Sequence, residues 1–268
     1  MAKKSNVRTP PVTSREIITD EQTGIKRRAS FDVRVATQGY ANISGILSGF
    51  AFTVVILIVQ LNGNSSNPSQ LIAQNQAAIG FLIAFFGCIM SCFAFSVIAA
   101  EEMLTQRANN MALFAGLGFS TATSMLFWSL AIILKTFLTT EVAIVAYQIF
   151  PLFIIVHPAY VATAALDNIY IFNFRRPNLK EFLIILIPGY LPLLSALVLR
   201  YLGNNIDLQA NNFYFTFVVW ASLISALFNN LLAILFSASS KDYRPPLWIS
   251  GFLIGAQSLL LGSLILSL

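Results

Sequence analysis

Residues 77–100 read AAIGFLIAFFGCIMSCFAFSVIAA and contain no charged side chain. A helix that crosses the hydrocarbon core of a bilayer needs about 20 consecutive apolar residues, because each residue advances it by about 1.5 Å. An uncharged stretch of this length is typical of a membrane span, whereas helices in soluble cores are shorter. The stretch therefore predicts a transmembrane helix, with Cys88 and Cys92 as small packing residues on one of its faces.

The composition of the whole chain indicates the same environment. Of the 268 residues, 57% are hydrophobic and only 10% are charged, against about 25% charged in ordinary soluble domains. A globule of this size must cover its surface with polar groups, and this chain has too few of them. We therefore predict an all-α integral membrane protein, located in an inner membrane or plasma membrane.

Seven apolar stretches are each long enough to span a bilayer. The break between the third and fourth stretches depends on a tight hairpin at Thr139, Thr140 and Glu141. The interval 62–76 is rich in Asn, Ser and Gln and is predicted to be a loop. The chain then divides into a tail, 1–40, and a transmembrane domain, 41–268. The predicted spans are 41–61, 77–100, 111–138, 142–166, 181–201, 213–237 and 247–268.

The distribution of basic residues predicts the orientation. Cytoplasmic segments of membrane proteins are enriched in Lys and Arg. If the N-terminus is cytoplasmic, fourteen of the 16 basic residues lie on that side. The other two, Lys135 and Arg200, lie near helix ends, where long side chains reach the headgroups. The prediction is a seven-transmembrane-helix bundle with a cytoplasmic N-terminus and the C-terminus on the opposite side.

The basic tail is predicted to be partly disordered, over residues 1–12. Residues 13–16, Thr-Ser-Arg-Glu, have the spacing of a capping box, which predicts a short helix that ends near Gly24. The tail contains no aromatic platform for bases, so nucleic acid is not an expected partner. Anionic headgroups at the cytoplasmic face are the expected partners. The residues predicted to contact them are Lys26, Arg27, Arg28, Arg175 and Arg176.

Small residues recur at steps of about four on three of the predicted helices, a spacing that lets helices approach closely in lipid. We expect these ridges to pack within the bundle, and homo-oligomerisation through a glycine-rich face is the alternative. The ridges are Gly45 and Gly49 in the first helix; Ala112, Gly116, Ser120 and Ser124 in the third; and Gly251, Gly255, Ser258 and Gly262 in the seventh.

Polar side chains near the middle of the predicted spans are candidates for a functional site, because polar groups are costly in hydrocarbon. The sole histidine is the one titratable group predicted near mid-depth. If these groups converge, they form a polar core that lines a permeation path or binds a ligand. Otherwise they form interhelical hydrogen bonds worth about 0.6 kcal/mol each. The candidates are His157, Gln257, Asn229, Asn230, Ser124 and Gln148.

Two short motifs concern catalysis. Glu101 and Glu102, followed by Arg107, resemble the Glu-Glu-x-x-x-Arg signature of the membrane-embedded CAAX-processing glutamic protease family. Phe153 and His157 match the Phe-x-x-x-His signature of that family. The resemblance implies an intramembrane hydrolase that depends on Glu102. However, the arginine comes one residue late, and a second histidine that the family requires is absent.

The sequence therefore favours a non-enzymatic protein that transports or conducts a small, weakly charged solute through a polar core around His157, Gln257 and Asn229. The first alternative is a membrane-anchored interaction or effector protein regulated through its basic tail, and the second is an intramembrane hydrolase. One histidine and two cysteines provide neither a normal zinc site nor paired haem ligands, so no cofactor is expected.

Overall fold

A computed structural model of the chain describes residues 17–19, 26–28, 32–62, 67–101, 105–137, 140–172, 176–203, 212–243 and 245–267. These ranges contain seven long helices and one two-stranded hairpin. The elements are β1 (Ile17–Thr19), β2 (Lys26–Arg28), α1 (Val33–Asn62), α2 (Pro68–Ala99), α3 (Gln106–Phe137), α4 (Thr140–Phe172), α5 (Leu179–Tyr201), α6 (Asn212–Phe236) and α7 (Leu247–Ser267).

Six of the helices, α1 to α3 and α5 to α7, are long and apolar enough to cross a membrane. Each predicted span coincides with one helix. Helix α3 ends at Phe137 and α4 begins at Thr140, so Thr140 and Glu141 of the predicted hairpin belong to α4, while residues 138–139 lie outside the described residues. A helix of 32 residues is about 48 Å long, which exceeds the hydrocarbon thickness of about 30 Å. The longer helices therefore have more residues than a perpendicular crossing requires. These features are those of an integral membrane protein.

The first helix begins eight residues earlier than predicted, at Val33. Asp32 precedes it, and its Oδ1 accepts a hydrogen bond from the backbone N–H of Arg34 at 3.0 Å. The Asp32 carboxylate also pairs with the Arg34 guanidinium at 2.8 Å, and this hydrogen bonding lowers the pKa of Asp32. A charged cap at a helix N-terminus is favourable. The last part of the predicted tail thus belongs to α1.

The second helix also begins early, at Pro68, so the prediction of a loop over 62–76 is wrong for residues 68–76, and it is also wrong for Asn62, which ends α1. Asn67 is the N-cap residue, and its side chain accepts a hydrogen bond from the backbone N–H of Ser69. Proline is well suited to the first helical position because its missing N–H is not needed there. Gln74 and Gln76, which gave the interval its loop-like composition, are buried helical residues.

The predicted short helix in the tail is also wrong. Ile17–Thr19 and Lys26–Arg28 pair as antiparallel strands, with Ile17 opposite Arg28. β-Branched residues favour strands, and this preference outweighs the capping pattern. Residues 1–16, including the predicted disordered segment and the capping box, lie outside the described residues, as does Gly24.

Helix α3 lies at the centre of the bundle and packs against α1, α2, α4, α6 and α7. The ridge predicted on this helix is buried along its whole length, at Ala112, Gly116, Ser120 and Ser124. Trp128 is also fully buried, and its indole N–H donates to Ser267 Oγ at 2.9 Å. Small residues therefore allow several helices to approach α3 closely.

The ridge on α7 packs against α5. A Cβ atom added at Gly251 would lie 2.7 Å from the carbonyl oxygen of Ile184, and one at Gly255 would lie 2.9 Å from Pro188 Cβ. The ridge on α1 is less closely packed: a Cβ atom added at Gly45 would lie 3.9 Å from Cys92 Sγ, and one at Gly49 would have no described residue within 4 Å. The prediction of close packing is confirmed for α3 and α7 and is wrong for Gly49.

Polar contacts define the two ends of the bundle. At the first, which we call the Arg107 end, Arg107 donates to the carbonyl oxygen of Ser239 at 2.7 Å and so joins the start of α3 to the segment that follows α6. Arg34, at the start of α1, contacts the carbonyl oxygen of Glu101 at the same end. Ser267, at the end of α7, lies at the opposite end, where Arg200 Nη1 donates to the Ile265 carbonyl oxygen at 2.8 Å.

Candidate functional site

Helices α6 and α7 are consecutive in the chain, yet they make few direct contacts. A cavity of about 470 Å³ lies between them, and we call it the α6–α7 groove. Small-molecule sites commonly have volumes of about 300–1,000 Å³. The groove is lined by Phe217, Ala221, Ile224, Ser225, Phe228 and Asn229 from α6 and by Leu253, Ala256, Gln257, Leu259, Leu260 and Ser263 from α7.

The groove opens on the outer surface of the bundle. Phe217 and Leu259 at its rim are 57% and 63% exposed, and Ile224 and Phe228 are also exposed. Its inner wall is polar, because the buried side chains of Asn229 and Gln257 lie there. The site therefore combines an apolar rim with a small polar base.

A chain of hydrogen bonds connects this polar base to α3. Asn229 Nδ2 donates to the carbonyl oxygen of Ser225 at 2.9 Å and to its Oγ at 3.3 Å. Ser225 Oγ lies 3.3 Å from Thr121 Oγ1, which donates to the carbonyl oxygen of Leu117 at 3.1 Å. Gln257 Nε2 donates to that same carbonyl oxygen at 2.8 Å and to Thr121 Oγ1 at 3.4 Å. One network thus joins α3, α6 and α7.

Donors and acceptors in this network are unequally used. Each side-chain amide has two N–H hydrogens. The two acceptors of Gln257 Nε2, the Leu117 carbonyl oxygen and Thr121 Oγ1, are only 3.1 Å apart, so one hydrogen of that amide serves both. The two acceptors of Asn229 Nδ2 belong to one residue, Ser225, and likewise share one hydrogen. Among the described residues, Asn229 Oδ1 is buried without a hydrogen-bond partner. Both hydrogen bonds of Gln257 to described residues are donated by Nε2, so its amide offers the groove an acceptor oxygen and one remaining N–H donor.

The structure brings together two of the six candidate residues, Asn229 and Gln257. Asn230 follows Asn229 but faces α2, where its Nδ2 donates to Ser91 Oγ at 2.9 Å. Successive residues of a helix point about 100° apart, which separates the two neighbours. Ser124 is buried on α3, and its hydroxyl has no hydrogen-bond partner.

The other two candidates belong to α4. The side chain of Gln148 is exposed on the surface of that helix, so it is not part of a buried core. The backbone at His157 is helical, but its side chain lies outside the described residues. The prediction that His157 contributes to a polar core therefore stays a prediction.

Among the described residues, no group of three or more His, Cys, Asp or Glu side chains could hold a metal ion. Comparisons with protein-family models, curated proteins and solved structures find no match. The site itself is therefore the basis for the proposed function.

The residues predicted to contact headgroups are described only in part. Lys26, Arg27 and Arg28 form β2, but their side chains lie outside the described residues, as does all of Arg175. Arg176 is exposed in the segment before α5. Contact with anionic lipid stays a prediction for all five.

Sequence reasoning missed a polar cluster at the Arg107 end. Arg107 Nη2 pairs with Glu101 Oε2 at 2.7 Å, and the Arg107 backbone N–H donates to the carbonyl oxygen of Lys241. The buried residues Asn110 and Asn168 join α3 to α4 through a hydrogen bond of 2.8 Å. Polar residues near helix ends are common, and no pattern in the chain indicated that these would meet.

The same cluster contains part of the protease-like motif. The Glu101 carboxylate is engaged in the ion pair with Arg107. Glu102 and the side chain of His157 lie outside the described residues. The resemblance to the glutamic protease family therefore stays untested.

Proposed function

We propose that this chain spans the membrane seven times, with its N-terminus in the cytoplasm and its C-terminus on the opposite side. We further propose that the α6–α7 groove is the binding site of a non-enzymatic path for a small, uncharged or weakly charged solute. The hydrogen-bonded base of this groove, formed by Asn229, Ser225, Thr121 and Gln257, is the observation that carries the proposal.

The depth of this base supports the proposal. Thr121 is residue 16 of the 32 in α3, Ser225 is residue 14 of the 25 in α6, and Gln257 is residue 11 of the 21 in α7. All three therefore lie near the centre of the bundle along its axis. Polar groups at mid-depth are costly in lipid and commonly mark substrate pathways. A path for a polar solute across the membrane needs hydrogen-bonding groups at this depth.

The arrangement of charge supports the proposed orientation. Arg34, Arg107 and Lys241 lie at the Arg107 end of the bundle. Lys135 and Arg200 lie in the last turns of α3 and α5, toward the other end. By the positive-inside rule, this distribution favours a cytoplasmic Arg107 end. Helix α4 has 33 residues, enough for the seventh span.

The chemistry of the lining supports binding rather than catalysis. The residues around the groove are apolar, hydroxyl or amide side chains, and none of them is ionisable near neutral pH. Acid–base catalysis needs a titratable group within hydrogen-bond reach of the substrate. The groove therefore suits a molecule that binds and leaves unchanged.

The test is a flux measurement in liposomes that contain the purified protein. Light scattering reports vesicle volume after an osmotic step with glycerol, urea or a short alcohol. We expect faster solute entry than in empty liposomes, and loss of this excess in Asn229→Leu and Gln257→Leu. Gln148→Leu is the matched control, because that side chain is exposed on α4. Equal rates in protein-containing and empty vesicles, or full flux in both groove variants, would contradict the proposal.

The two alternatives predict different results. An effector protein regulated through its tail loses activity when residues 1–31 are deleted, while the groove substitutions have no effect. This deletion leaves the Asp32 cap of α1 in place. A hydrolase of the glutamic protease type loses activity in Glu102→Gln.

A further inference from the structure

We propose that the α6–α7 groove binds a neutral amphiphile of the alcohol class, whose hydroxyl group donates a hydrogen bond to Gln257 Oε1. The apolar part of the ligand lies between the two helices, and the ligand enters laterally from the bilayer. This inference rests on the proposed membrane-embedded binding site and adds the chemical class of its ligand and the route of entry.

The unequal use of donors and acceptors determines the polarity of the ligand. The hydroxyl hydrogen of Thr121 is directed to the Leu117 carbonyl oxygen, so the hydrogen between Thr121 and Ser225 comes from Ser225. Gln257 Nε2 has both of its acceptors on one side, so its second amide hydrogen is left for a ligand. Among the described residues, Gln257 Oε1 accepts no hydrogen bond, whereas Asn229 Oδ1 is too deeply buried to meet a ligand. A hydroxyl, which both donates and accepts, therefore matches the Gln257 amide, whereas an ether, which only accepts, leaves the Gln257 oxygen unpaired.

The charge of the ligand follows from the lining. The residues that line the groove include no acidic or basic side chain, and a desolvated ion of either sign without a counter-charge is strongly disfavoured. A neutral hydroxyl meets both conditions, because it donates one hydrogen and carries no charge. An unsatisfied buried acceptor costs about 1–3 kcal/mol, so supplying its partner is a substantial gain.

The side walls of the groove determine the apolar part of the ligand. Phe217 and Phe228 from α6 and Leu253 and Leu259 from α7 form apolar sides. Phe217, Phe228 and Leu259 are also exposed on the outside of the bundle, where lipid chains lie in a membrane. A molecule dissolved in the bilayer can therefore enter between the helices without crossing a polar surface. An amphiphile with a short apolar chain fits a cavity of about 470 Å³.

The test uses the full chain in phosphatidylcholine nanodiscs and two photoreactive probes. One probe is an eight-carbon alkanol that carries a diazirine, and the other is its methyl ether, which lacks the donor. After irradiation, labelled peptides are mapped by mass spectrometry, with unlabelled octanol as competitor. We expect the alkanol to label residues lining the groove about tenfold more than the ether does. This comparison uses the unaltered protein, so it does not depend on the folding of a variant.

Variants and a third probe define the remaining outcomes. Asn229→Leu and Gln257→Leu, introduced together, should remove the preference for the alkanol, whereas Gln148→Leu should keep it. Equal labelling by the alkanol and the ether would show that the groove holds only hydrocarbon, such as an acyl chain, and would overturn the inference. Stronger labelling by a diazirine octanoate, or labelling confined to other helices, would also overturn it. The results distinguish the two proposals. Preferential labelling by the alkanol without solute flux would contradict transport alone. Solute flux without a preference for the alkanol would contradict only this inference.

Discussion

The side-chain amide of Gln257 on α7 donates a hydrogen bond to the backbone carbonyl oxygen of Leu117 on α3, with an N–O distance of 2.8 Å. The two residues are 140 positions apart in the chain. Helix α7 packs closely on α5 and makes few contacts with α6. This hydrogen bond therefore holds the α7 wall of the groove against the central helix.

Replacing Gln257 with leucine should lower the stability of the bundle. Both hydrogen bonds from Nε2 to α3 are lost, and interhelical hydrogen bonds in membrane proteins contribute about 0.6 kcal/mol on average and up to about 1.7 kcal/mol. We expect a loss in the free energy of unfolding of about 1 kcal/mol, measured in detergent by denaturant titration. Gln148→Leu should leave this free energy unchanged, and a similar loss in both variants would contradict the assigned role of Gln257.

Gly118 should not tolerate even a methyl group. A Cβ atom at this position would collide with the side chain of Asn230, whose Cγ would lie only 2.7 Å away. Asn230 is held by Ser91 on α2, so it cannot move without breaking that hydrogen bond. We expect Gly118→Ala to destabilise the protein by about 1–3 kcal/mol, the usual cost of overpacking.

Gly49→Ala is the matched control, because no residue of the described ranges lies within 4 Å of its added Cβ atom. Alanine favours helix over glycine by about 1 kcal/mol, so this variant should be neutral or more stable. Thermal unfolding in the same detergent compares the two. A stable Gly118→Ala protein would show that α3 and α6 are not packed as described.

Arg107→Met should loosen the Arg107 end of the bundle. The substitution removes the ion pair with Glu101 and the hydrogen bond to the Ser239 carbonyl oxygen, while keeping an unbranched side chain. The side chains of Arg107 and Glu101 are only 16% and 11% exposed, so solvent screens the pair weakly. We expect a loss of about 2 kcal/mol, because hydrogen bonds to charged groups are among the stronger ones.

Lys241→Met provides the comparison for this end. Lys241 is exposed, and its contribution to the cluster is a backbone carbonyl oxygen, which the substitution preserves. Hydrogen–deuterium exchange should show faster exchange at the start of α3 and in the segment between α6 and α7 for Arg107→Met. Unchanged exchange there would contradict a bridging role for Arg107.

The positions of the helices could be predicted because the hydrophobicity of a segment is the sum of the contributions of its own residues. It does not depend on which neighbours those residues have in the fold. The uncharged run 77–100 therefore identified the core of α2. Residues 68–76 were missed, since Asn and Gln suggested a loop, although a cap at Asn67 and proline at position 68 extend the helix. In the tail, the preference of Ile17 and Ile18 for strand outweighed a plausible capping pattern.

The neighbours of each side chain could not be predicted in the same way. Asn229 and Asn230 are chemically identical, yet one borders the groove and the other bonds to α2. The difference depends on how α6 is rotated against α2, α3 and α7, which only the packing determines. Gln148 and Gln257 similarly differ in burial because α4 turns one outward and α7 turns the other inward.

The depth of the groove in the membrane depends on the membrane topology of the chain. Two single-cysteine proteins test it, one with Ser5→Cys and one with a cysteine added after Leu268, both in a Cys88→Ala and Cys92→Ala background. A membrane-impermeant maleimide is applied to intact cells and then to opened cells. We predict that the C-terminal cysteine reacts in intact cells, whereas Cys at position 5 reacts only after the cells are opened. Reaction of both cysteines under the same condition would mean an even number of spans and would contradict the account.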